Sequence, residues 1–141
     1  MVVAGEADVL TLPRTYVEAM IRHARAFVPQ ECCGLIAGQD GRAIKRYELR
    51  NVDPSVLRYQ ADPQDQLAAM REMWDRDWEL LAIYHSHTHS PAYPSATDVR
   101  LAFYPDSYYV IVSLQEADVP RVRAFRIVDG AITEHPLLVD G

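Results

Sequence analysis

Apolar positions along the chain fall into short runs and helical stripes separated by turn residues. Val9 to Leu12 reads as a first strand. Pro13 then opens a helix, where its missing N–H costs nothing. Val17, Met20, Ile21, Ala24 and Phe27 keep the 3.6-residue period, and Pro29 ends that stripe. His23 lies beside the stripe and reads as a partly buried or surface histidine. Glu31 to Gly38 reads as a strand, Asp40-Gly41 as a hairpin turn, and Arg42 to Leu49 as the returning strand. Gly34 and Gly38 within one strand predict a close backbone approach or a bulge. Leu57 to Ala61 has the pattern of a further short strand. Asp62-Pro63 predicts the cap and first turn of a second helix, with Asp65 favourable in that turn. Its buried stripe would be Leu67, Met70 and Trp74, and its wet face Glu72, Asp75, Arg76 and Asp77.

Leu80 to Tyr84 has the length and content of a buried strand. Ser95 to about Phe103 looks helical, and Ser107 to Leu114 and Arg121 to Val128 read as strands. Asp129-Gly130 turns the chain into a last strand, Ala131 to Val139, where His135 reads as structural. About seven strands and three helices, with hairpins beside helix crossovers, predict an α/β fold: a mixed sandwich around one sheet. The 141 residues suit one domain, 1–141.

Composition narrows the classes. The chain is 49% hydrophobic and 24% charged, which fits a globular core rather than a disordered chain. A net charge of −6 argues against a nucleic-acid partner. No apolar run approaches the roughly 18 residues of a membrane span. Met1 to Asp8 lacks the basic-then-apolar layout of a secretory leader, so the chain is read as cytoplasmic. Cys32 and Cys33 are adjacent, which rules out a disulfide framework and a C-x-x-C zinc ribbon. Both read as small apolar core filler, with a sulfur contact near a site left open.

The candidate chemistry lies between His85 and Asp98. Three of the five histidines fall within five positions there. Residues i and i+2 of a strand share a face, so two imidazoles leave the strand end as a claw. The pair is His85 with His87, or His87 with His89. Spacing alone leaves both open, although His85 directly follows the apolar run. Asp98 returns through a turn stiffened by Pro91 and Pro94. Two imidazoles, one carboxylate and an open fourth position describe a catalytic zinc site better than a structural one. Ser95-Ala96-Thr97-Asp98 is close to a capping box, which would hold Ser95 and Asp98 in fixed relation. Glu31, on its segment alone, reads as a solvated carboxylate at a strand mouth.

His85-Ser86-His87, seven residues, Ser95, two residues and Asp98 resemble the His-x-His, Ser, Asp signature of the JAMM (MPN-plus) metalloproteases. Glu31-Cys32-Cys33-Gly34 resembles that family's second motif, a glutamate on an early strand before a Cys-Gly or similar pair. The resemblance covers all five functional positions and the order of the elements, and its spacing selects the His85–His87 register. It implies that family's cytidine-deaminase-like sandwich, with Zn2+ held by His85, His87 and Asp98. It also implies Glu31 as general base and then acid, and Ser95 as a donor to the oxyanion. The chain looks like the compact bacterial branch, whose members work beside ubiquitin-like (β-grasp) sulfur-carrier proteins with a C-terminal Gly-Gly. The implied reaction is hydrolysis of the amide between such a carrier and cysteine. The alternatives are a JAMM isopeptidase or processing protease for another carrier tail, and a non-catalytic scaffold. The scaffold reading is disfavoured because no ligand position is lost. Thr88 departs from the more usual His-Ser-His-Pro. A zinc nucleoside deaminase would need a P-C-x-x-C pair, which the sequence lacks. A Gly-Gly tail would dock as an added strand at a sheet edge, and such an edge could also support a homodimer.

Overall fold

The computed structural model describes residues 8–141, so the reading of Met1 to Asp8 lies, apart from Asp8, outside it. Among the described residues there are eight strands and three helices. β1 (Leu10–Pro13) runs straight into α1 (Arg14–Phe27). Pro13, expected as the first helical residue, is thus the last strand residue and the helix N-cap, and the helix begins one position later at Arg14. β2 (Cys33–Gln39) and β3 (Arg42–Leu49) form a hairpin. Asp40 and Gly41 both take positive φ, 53° and 79°, as a tight hairpin turn demands. α2 (Pro63–Asp75) leads to β4 (Glu79–His87), and α3 (Ala96–Arg100) to β5 (Tyr108–Ser113). β6 (Arg121–Val128) turns at Asp129-Gly130 into β7 (Ala131–His135), and β8 (Leu137–Asp140) follows.

The main sheet has the order β3-β2-β4-β5-β6-β7. β4 and β5 run parallel and the other neighbours antiparallel. Alternation along the central strands sends successive side chains to two cores. Met20 and Ala24 of α1, with Leu10 and Leu12, pack against Cys32, Ile36, Tyr84, Val110 and Val112 on one face. Ala69 and Met73 of α2 pack against Cys33, Leu35, Ile83 and Tyr109 on the other. Gly34 faces the first core, where a Cβ would collide with the Tyr84 ring and the Tyr47 carbonyl. The register breaks once in β4: Ile36 pairs with Ala82 but Ala37 with Leu80, leaving Leu81 as a bulge.

Several expectations need correction. Leu57 to Ala61 is not a strand but part of a loop closed by one bridge, Asn51 to Ala61. Asn51, Asp53 and Ser55 side chains accept from nearby backbone N–H groups there, offering the chain an alternative to a ladder. In α2, Leu67 and Trp74 are exposed while Ala69 and Met73 are buried. Both stripes satisfy the helical period, and small Ala69 allows the closer approach to the sheet. The helix after Ser95 stops at Arg100, well short of Phe103, and Pro105 disfavours its continuation. The expected strand Ala131 to Val139 is two strands, because Pro136 has no N–H to give the ladder. β8 leaves the main sheet and pairs in parallel with β1. Among the described residues the fold therefore has a six-stranded mixed sheet and, beside it, a separate two-stranded one. His23 is buried, its Nδ1 2.9 Å from the Tyr84 hydroxyl. His135 Nδ1 donates to the Asp8 carbonyl, a structural contact. No helix among the described residues is long and apolar enough to cross a membrane.

Candidate metal centre

β4 carries His85 and His87 to the sheet face that α2 covers. Cys33 pairs with His85 across β2 and β4, so the two point the same way. The pairing extends beyond the strand end: Ser86 N–H donates to the Cys32 carbonyl at 3.1 Å, and Cys32 N–H donates to Ser86 Oγ at 2.8 Å. That register sets Glu31 opposite His87, on the same face. Asn51 Nδ2 holds the Glu31 carbonyl at 2.8 Å.

Asp98 reaches the claw from the start of α3. Ser95 caps the helix with a full capping box: Asp98 N–H donates to Ser95 Oγ at 3.0 Å, and Ser95 N–H donates to Asp98 Oδ2 at 2.9 Å. The same Oδ2 lies 3.2 Å from His85 Nε2 and 3.0 Å from His87 Nε2, which are 3.1 Å apart. His87 Nδ1 donates to the Pro91 carbonyl at 2.8 Å, which leaves the Nε2 lone pair of the neutral ring facing Asp98.

These three atoms fit a metal ion. A tetrahedral zinc with ligands at about 2.0–2.1 Å separates them by roughly 3.3 Å. Two imidazole nitrogens and one carboxylate oxygen converge here at nearly that spacing, as one face of such a tetrahedron. His89 does not join them; it is exposed, with its Nδ1 2.9 Å from Thr88 Oγ1.

Electrostatics separates the two carboxylates. Burial disfavours the Asp98 charge, but hydrogen bonds with His85, His87 and the Ser95 backbone hold its carboxyl far below the usual range. Burial also works against charge on His87, yet Asp98 and the Pro91 carbonyl raise it. Glu31 is only 4% exposed, and its Oε1 has no hydrogen-bond partner. Burial lifts its carboxyl to about 7, with His87 pulling down and Asp98 and Asp53 pushing up. One carboxylate is therefore fixed as an anion beside another poised to hold a proton near neutrality. Burial pushes the thiols of Cys32 and Cys33 up to about 12, so neither is a ready nucleophile.

A cleft of about 620 Å3 opens over the centre, with His85 and Asp98 in its wall and Tyr59, Arg58, Arg100 and Phe103 around it. Asn51 and Tyr59 were not singled out from the sequence. The Asn-x-Asp-Pro-Ser stretch from Asn51 to Ser55 does carry the turn chemistry that builds this loop. Nothing local signals that Tyr59 meets His85.

The family described as prokaryotic homologues of the JAB domain matches residues 13–128. The chain is 43% identical over 137 residues to the CysO-cysteine peptidase of Mycobacterium tuberculosis, covering 96% of this chain and 94% of that one. It is 37% identical over 124 residues to a probable TtuB-protein conjugate cleaving protease of Thermus thermophilus, covering 86% and 78%. A solution structure of a protein from Desulfitobacterium hafniense superposes with a TM-score of 0.82 at 38% identity, over 94% of this chain and 92% of that one. A JAB1/MPN-domain protein from Archaeoglobus fulgidus shares the fold at a TM-score of 0.58 and 15% identity, over 93% and 98%.

Proposed function

This chain belongs to the prokaryotic homologues of the JAB domain, and from that premise we propose that it is a zinc peptidase. Its substrate is the amide bond between the C-terminal glycine of a ubiquitin-like sulfur-carrier protein and cysteine, and its product is free cysteine. The observation that carries the reading is the convergence of His85 Nε2, His87 Nε2 and Asp98 Oδ2 at 3.0–3.2 Å on the wall of an open cleft. The likeness to a CysO-cysteine peptidase supports the choice of substrate.

A zinc ion held by these three residues would supply the Lewis acidity that activates water near neutral pH. Glu31, poised at about 7, takes the proton from the attacking water and passes it to the leaving amine. Ser95 Oγ already accepts from Asp98 N–H, so its own proton is free to meet the developing oxyanion. Asp98 stays ionised and would share the ion with the two imidazoles through its Oδ2. Water is the nucleophile, and Cys32 and Cys33 stay in the two cores as packing.

The test uses a carrier protein bearing a C-terminal Gly-Gly-Cys and follows the release of free cysteine. Glu31→Gln should keep its zinc and lose turnover by about 10²–10⁴-fold. Undiminished turnover in that variant removes Glu31 from the mechanism. The relative named for cleaving a protein conjugate favours a second reading, a protease for another ubiquitin-like conjugate. Faster cleavage of a longer C-terminal extension than of the cysteine adduct would establish it.

A further inference from the structure

The two imidazoles of the centre are held in different ways. His87 has the usual arrangement, its Nδ1 donating to a carbonyl that fixes tautomer and ring angle. His85 Nδ1 is buried and has no hydrogen-bond partner. The ring of Tyr59 lies against it instead, with centroids 4.7 Å apart and planes 27° apart. We propose that Tyr59 is the positioning residue of His85, fixing by stacking the ring angle that the Pro91 carbonyl fixes for His87 by hydrogen bonding.

The loop that delivers Tyr59 is anchored at the same centre. Asn51 Oδ1 accepts from Asp53 N–H at 2.9 Å and from Gln60 N–H at 3.0 Å, while its Nδ2 holds the Glu31 carbonyl. Val52 N–H closes the neck on the Gln60 carbonyl at 2.8 Å. One amide side chain thus joins the backbone of Glu31 to the residue next to Tyr59. Stacking uses the ring face and not the hydroxyl, so phenylalanine can replace tyrosine while an aliphatic chain cannot.

The inference rests on reading the centre as a zinc site, and the experiment separates the two. Zinc affinity of the full chain is measured by chelator competition for wild type, Tyr59→Leu and Tyr59→Phe. Ring 15N–1H spectra of His85 and His87 are recorded on the metal-free proteins. Tyr59→Leu should weaken zinc binding by about tenfold, the lower end of what loss of a ligand's supporting partner costs. It should disturb the His85 ring signals and leave those of His87 in place, with Tyr59→Phe like wild type. Tyr59→Met gives the same comparison should leucine disturb the loop. Unchanged zinc affinity and unchanged His85 signals in the aliphatic variants overturn the proposal. So does equal disturbance of both rings, which would mark collapse of the loop, or a Tyr59→Phe defect as large as that of leucine. A wild-type chain that binds no zinc sinks the peptidase reading, and the ring spectra still decide the role of Tyr59.

Discussion

The two faces of β2 and β4 carry the same kinds of residue and treat them differently. Beneath α1, every buried polar group of these strands is answered: Ser86 Oγ takes the Cys32 N–H, and the Tyr84 hydroxyl meets His23 and Arg46. On the cleft face, one residue away along each strand, Glu31 Oε1 and His85 Nδ1 are buried without a partner. Folding alone disfavours such orphans, each of which carries a desolvation penalty. Within these two strands and the residues leading into β2, such groups lie on the cleft side, the face kept ready for a ligand; a further one, Arg126 Nε, lies on β6 with its guanidinium over the Tyr108 ring.

The largest expected effect tests the unanswered side. The Glu31 carboxyl rises from 4.5 to about 7 on folding, so the fold favours its protonated form. The stabilisation from that proton is complete below pH 4.5 and is lost as the pH climbs through about 7. A shift of this size corresponds to as much as about 3 kcal/mol. In metal-free protein, Glu31→Gln should therefore be more stable than wild type by up to that amount at pH 8 and no more stable at pH 4. Denaturant unfolding at the two pH values checks it, and a gap that ignores pH would erase the distinction between the faces.

A smaller effect belongs to the answered side. Ser86→Ala removes the acceptor of the Cys32 N–H and should lower stability by about 1–3 kcal/mol. Zinc stoichiometry should stay as it was. Urea melts and metal analysis read the two quantities separately, and loss of metal without loss of stability would reverse the assignment. Smallest of all is Trp74→Ala, on the outer side of the helix that covers the cleft face. Trp74 is 63% exposed, so its loss should move stability by no more than about 0.5 kcal/mol in the same melts. A cost several times larger would mean that the helix buries its other stripe after all.

What could be read from the sequence follows the range over which each signal acts. The hairpin strand Arg42–Leu49 and the strand Arg121–Val128 were legible to the residue, because Asp-Gly turns mark one end of each. His85, His87, Ser95 and Asp98 sit on local devices, a strand, a stiff turn and a capped helix, yet spacing alone left the His87–His89 pair open and Ser95 as an ordinary cap; the resemblance to the JAMM signature chose among them. Two equally periodic stripes on α2 could not be ranked without knowing how closely the sheet approaches. Pro136 was visible, but its effect depends on β1 waiting alongside to pair in parallel. Tyr59 was hidden most completely. Its meeting with His85 spans 26 positions and is made by a loop whose path is set by Asn51 and Asp53 rather than by any periodic pattern.

Counted by twos from Leu80, which packs toward α2, the next residues on that side of β4 would be Ala82, Tyr84 and Ser86. Both imidazoles would then be entombed beneath α1. The unpaired Leu81 resets the count, for Leu81 and Ala82 both turn to the α1 side, and every residue beyond them changes allegiance. Deleting that one leucine would leave Leu80 and Ala82 in plain alternation and the claw on its present side, whereas drawing Leu81 into the ladder would exchange the strand's two surfaces and leave a serine where the claw had been.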